Sequence, residues 1–194
     1  MKTSAMITMA AMLAGSAWAA SKSESQSLVI CLEDGKHAGV ERATAKATSM
    51  FLSAGVKLEW HGDASFCKGN PDAMVVSLMT STPKAFHPGA LAYALPYEGV
   101  HIQVFYDRIA QADPDLVPSL MACVIVHEIT HILQGIDRHS PNGIMKALWT
   151  SSDYTQMKRG MLRFTTADVE MIHNGFAART ARNAAGALVV AVAP

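Results

Sequence analysis

"VHEITHILQGIDRHSPNGIM", residues Val126–Met145, sets His127, Glu128, His131, Asp137 and His139 inside one short, otherwise apolar stretch. On a helix, His127 and His131 lie about 40° apart in projection and one turn apart, so both imidazoles leave the same face. Glu128 sits about 100° round from His127, beside that pair rather than in it. Two readings compete: a metal site, or a core helix that happens to carry histidine. Two imidazoles and a carboxylate are costly to bury among so many apolar residues unless something pairs them, and this favours the metal.

The spacing is His-Glu-x-x-His, which suits zinc: imidazole is a borderline ligand for a borderline ion, and a site with three protein ligands leaves one position for water. Three residues can supply the third ligand, namely Asp137, His139 and, much later, Glu170. Gly135 is placed to end the helix in a left-handed turn that swings the chain back, after which either Asp137 or His139 can arrive.

Working outward, "SLVICL" (27–32) reads as a buried strand, and "HAGVERATAKATSMFLSAG" (37–55) as a helix with Val40, Ala43, Ala47, Met50, Phe51 and Ala54 on one face. Four extended segments follow: "VKLEWHG" (56–62), "DAMVVSLMTSTP" (72–83), "ALAYALPYEG" (90–99) and "VHIQVFYDRI" (100–109), the last with His101, Gln103 and Phe105 on one side. The helix carrying the motif spans 113–135, with Asp113 as a cap and Pro114 or Pro118 in its first turn. It is apolar nearly all round, hence central. "FTTADVEMIHNGFAAR" (164–179) reads as a second buried helix capped by Thr165 or Thr166, with Val169, Ile172 and Phe176 on its stripe.

Residues 1–19 combine Lys2, an apolar run from Ala5 to Ala14 and the small-residue pattern Ala17-Trp18-Ala19, the pattern of a cleavable export signal. The run is too short for a bilayer-spanning helix of about 20 residues, so stable membrane insertion after cleavage is not expected, and the mature chain is read as secreted or periplasmic. The chain holds 16 basic and 16 acidic residues, and cleavage removes only Lys2, leaving a formal charge of −1. With no basic run to release counterions, nucleic acid is not an expected partner. Of three cysteines, Cys31 is expected to pair with Cys67, and Cys123, four residues before His127, to be a small buried hydrophobe rather than a ligand.

The order His127, Glu128, His131, Gly135, His139, Ser140 and then "GIM" ending at Met145 resembles the metzincin family of zinc endopeptidases, and the His-Ser pair is similar to that of its matrixin branch. The resemblance covers roughly Ser27 to Arg179. It implies an α+β fold with a twisted, mixed, mostly parallel sheet, an active-site helix, a methionine turn at Met145 and a C-terminal helix. It makes residues 20–194 a single zincin-like catalytic domain with its core at about 27–179. It further implies zinc on His127, His131 and His139, and hydrolysis of peptide bonds in a protein or peptide substrate by a metal-bound water, with Glu128 as general base. The strand near Leu91–Leu95 would receive that substrate. The chain departs from the family's usual spacing by one residue before the glycine and one after it; the usual third offset falls on Asp137, and Ala147 stands where some branches have tyrosine. The extra helical residue turns the helix end by about 100°, and the longer return needed favours His139 over Asp137. Two other readings use the same residues: a zinc-binding module without peptidase activity, and a gluzincin-like peptidase with Glu170 as third ligand. Oligomeric state is not legible.

Overall fold

The computed structural model describes residues 26–70, 72–94, 100–160 and 162–192. The expected export signal and the second half of the expected rim strand, 95–99, lie outside them.

Strand β1 (Gln26–Glu33), helix α1 (Val40–Ser53), strands β2 (Val56–His61), β3 (Met74–Met79), β4 (Ala92–Ala94) and β5 (His101–Phe105), and helices α2 (Tyr106–Ile109), α3 (Val117–Gln134), α4 (Ser151–Lys158) and α5 (Thr166–Val192) follow in that order. The five strands form one sheet in the order β2-β1-β3-β5-β4, parallel throughout except for β4, which runs antiparallel to β5 at the edge. This is the mixed, mostly parallel sheet of the expected α+β class. Alternation puts Leu28, Ile30 and Leu32 of β1 into the main core, while Cys31 faces the other side. There it bonds to Cys67 on a 3-10 turn, with the Cα atoms 6.1 Å apart, so the expected disulfide is present.

Helix α3 is central. All its residues except Glu128 and Gln134 are buried, and it packs against α1, α4, α5 and strands β4 and β5. Its length and composition would suit a membrane span, but that stretch is 89% buried inside the fold. Pro118 sits in the first turn as expected, yet Asp113 is not the cap: Leu116 holds that position, and the Asp113 carboxylate accepts from the Asp115 amide and the Lys158 ammonium. Cys123 is fully buried, and desolvation pushes its thiol up to about 12, which makes it inert packing.

Three elements differ from expectation. The extended run at 100–109 stops at Phe105, because Asp107 turns the chain by accepting from the amide and hydroxyl of Thr82. Helix α4 has too little apolar periodicity to be read; it is started by a capping box between Thr150 and Asp153. Helix α5 continues to Val192 rather than stopping near Arg179. Where α5 crosses the end of α3, a Cβ on Gly175 would lie 1.8 Å from the Leu133 carbonyl oxygen, so only glycine permits the crossing.

Candidate metal centre

His127 and His131 leave α3 one turn apart, 9% and 6% exposed. Helical geometry brings the rings together, and two backbone carbonyls set their tilt. His127 Nδ1 lies 2.9 Å from Ile144 O, and His131 Nδ1 lies 3.2 Å from Ile136 O. A carbonyl oxygen only accepts, so each Nδ1 carries the proton and donates it, leaving each Nε2 with a bare lone pair. Those two Nε2 atoms face each other at 3.0 Å. Desolvation lowers the basicity of both rings, taking His127 to about 4, so both are neutral near pH 7 and neither supplies a proton between them. Two opposed lone pairs repel unless a cation lies against both. Two nitrogens bound at about 2.05 Å in tetrahedral array would sit roughly 3.3 Å apart, close to the spacing found.

The chain returns through Gly135, in the left-handed conformation, and brings His139 to the same place. Its ring centroid stands 5.3 Å from that of His127 and 4.9 Å from that of His131. His127, His131 and His139 each offer a ring nitrogen within 4.8 Å of the others, a set that could hold a metal ion. Asp137 falls outside that set but lines the same cavity. Glu170 lies exposed on α5, away from the cavity. The neutral nitrogen donor set fits zinc.

Glu128 is half-buried beside the histidines. Desolvation, reinforced by the Asp137 carboxylate, pushes its carboxyl up to about 7. Met145 is fully buried, and its carbonyl accepts from the Ser140 amide at 2.7 Å, closing a tight turn from the histidine loop back to the core. Gly143 makes that turn with φ 76°; a Cβ there would lie 2.2 Å from Arg163 O, to which the Ile144 amide donates.

His127, Glu128, His131, Asp137 and His139 open into a cavity of about 530 Å³. Gly89 to Ala94, including edge strand β4, form one wall; Lys146, Leu148, Trp149 and Tyr154 form the other. Only Tyr154 of this second wall lies on α4; Lys146, Leu148 and Trp149 belong to the irregular segment before it, which carries no periodic signal. Trp149 sets its edge against the His127 ring at 5.6 Å and donates its indole N–H to Ile144 O, the same carbonyl that holds His127. The Thr150–Asp153 pattern was the signal that could have revealed this wall. Arg108 braces the other wall by donating to the carbonyls of His87 and Ala90.

By sequence the chain matches no protein-family model and no curated protein. By fold it is similar to the crystal structure of archaemetzincin from Methanopyrus kandleri, with a TM-score of 0.52 and 17% identity over 79% of this chain and 97% of that one. The fold is therefore metzincin-like, as the sequence resemblance implied.

Proposed function

We propose that the chain is an exported zinc endopeptidase whose metal is held by His127, His131 and His139. The observation that carries this reading is the pair of neutral imidazoles whose carbonyl-fixed tautomers aim two lone pairs at one point, 3.0 Å apart, with a third histidine beside them. Zinc bound there supplies Lewis acidity at the floor of the cavity. Glu128, with a carboxyl near pKa 7, is poised to take a proton from the attacking water and to release it to the leaving amine. Strand β4 is the sheet edge and borders the cavity, so an extended peptide gains main-chain hydrogen bonds by lying along Ala92–Ala94. Trp149 and Tyr154 then face its side chains and exclude water from that side. The Cys31–Cys67 disulfide and the signal-like N-terminus support an oxidising compartment outside the cytoplasm.

The test is to purify the mature chain, measure zinc by elemental analysis, and follow cleavage of unfolded casein with and without a chelator. Stoichiometric zinc with chelator-sensitive cleavage supports the proposal. Zinc without cleavage would leave a non-proteolytic binding module, and absence of zinc would remove the metal reading altogether.

A further inference from the structure

His127 and His131 each have a carbonyl on Nδ1, but among the described hydrogen bonds none involves the His139 ring. His139 also lies outside any helix or strand. Something else must fix its direction, because a ligand on a free loop loses conformational entropy each time it binds.

The neighbours of His139 on both sides are tied to one buried carboxylate. Asp168, in the first turn of α5 and 0% exposed, accepts on Oδ1 from the Arg138 guanidinium at 2.9 Å and from the Ser140 hydroxyl at 2.5 Å. Its Oδ2 is occupied separately, by the amide of Thr165 at 3.0 Å and its hydroxyl at 2.7 Å. One oxygen thus serves the histidine loop and the other serves the start of α5. The Ser140 amide meanwhile donates to Met145 O, closing the loop on itself, and the Ile144 amide donates to Arg163 O, tying it to the segment before α5. The residues on both sides of His139 are thus anchored by hydrogen bonds, whereas, among the described ring contacts, its ring meets only the other two imidazoles.

We propose that Asp168 is a positioning residue for the metal: its Oδ1 aims His139 by clamping Arg138 and Ser140, a task separate from the capping of α5 by its Oδ2. The inference rests on His139 being a ligand, as proposed above.

The two arms can be cut independently in the full mature chain. Ser140→Ala and Arg138→Met remove Oδ1 donors; Thr165→Val removes an Oδ2 donor. For each variant, the thermal midpoint of the metal-free protein, the zinc affinity by competition with a chromophoric chelator, and the absorption spectrum of the cobalt(II)-loaded protein are measured. Ser140→Ala and Arg138→Met are expected to weaken zinc by about 10–100-fold, as loss of a ligand's support does elsewhere, and to change the cobalt spectrum. Arg138→Lys should recover part of the loss. Thr165→Val is expected to lower the midpoint while leaving zinc affinity and spectrum as in the wild type. Wild-type zinc affinity in Ser140→Ala and Arg138→Met overturns the proposal, and so does a loss in Thr165→Val that matches theirs, since Asp168 would then act only through stability. His139→Ala separates the two readings: if it binds zinc like the wild type, His139 is not a ligand and the proposed metal set fails first.

Discussion

The centre is assembled from two regions that are held in different ways. Helix α3 supplies His127, Glu128 and His131, and it is fixed by apolar burial on nearly every side. The loop from Ile136 to Met145 supplies His139; burial of Ile144 and Met145 anchors its end, but the stretch around His139 is fixed by polar contacts: the Asp168 carboxylate, the Ser140–Met145 backbone bond and the Ile144–Arg163 bond. Packing positions the helix as a unit, so His127 and His131 keep their mutual spacing when one neighbour changes. Hydrogen bonds position the loop residue by residue, so a single lost donor is felt at His139. The regions also share parts, because Ile144 O and Ile136 O belong to the loop yet orient the helix histidines.

This contrast can be sharpened or broken by measurement. The largest effect is expected at Glu128, which the helix places but no ligand role explains: Glu128→Gln should keep zinc and lower kcat/KM by about 10²–10⁴-fold, equivalent to about 3–5 kcal/mol in the barrier. Turnover at the wild-type rate would remove Glu128 from the chemistry. Next comes His139, the proposed third ligand. His139→Ala should weaken zinc by more than about 100-fold, since even supporting partners are worth about 10–100-fold, whereas Asp137→Ala should keep it. The reverse pattern would make the site a two-histidine, one-aspartate centre.

On the packing side, Gly175→Ala should destabilise the fold by about 2–3 kcal/mol in chemical denaturation, since a methyl group has no room against the Leu133 carbonyl. An unchanged midpoint would show that the end of α3 is less tightly held than the contrast requires. Met145→Leu is a near-isosteric change in a fully buried place and should cost about 1 kcal/mol with zinc stoichiometry unchanged. Loss of metal at an unchanged melting temperature would make Met145 part of the centre. The smallest effect is expected from pH. Burial raises the Asp168 carboxyl, but hydrogen bonds from Ser140, Thr165 and Arg138 outweigh it and hold the pKa below the ordinary aspartate value. A depressed folded-state pKa gives stability that is present above the unfolded value and lost as pH falls through the folded one. The metal-free melting temperature should therefore drop on the acid side of the usual aspartate range, and Asp168→Asn should flatten that limb. An unaltered acid limb in the variant would contradict the assignment.

The sequence by itself determined whatever depends on local periodicity. The 3.6-residue repeat put His127 and His131 on one face, the apolar residues around them made α3 central, and alternation with β-branched runs gave the strands of a mostly parallel sheet. Cysteine count and compartment were enough to suggest Cys31 with Cys67. Tertiary structure alone decided the rest. The sequence spacing already favoured His139 over Asp137, but only the fold shows the three imidazoles gathered with ring nitrogens within 4.8 Å of one another. Histidine tautomers were settled by carbonyls of Ile144 and Ile136, backbone groups that every residue carries and no sequence signal marks. Asp168 lies 28 positions beyond Ser140 in the chain, and its role appears only when α5 returns to the loop. The physical reason is the range of the forces: side-chain periodicity along a helix or strand is written in adjacent residues, whereas hydrogen bonds closing a loop join partners that only folding brings together.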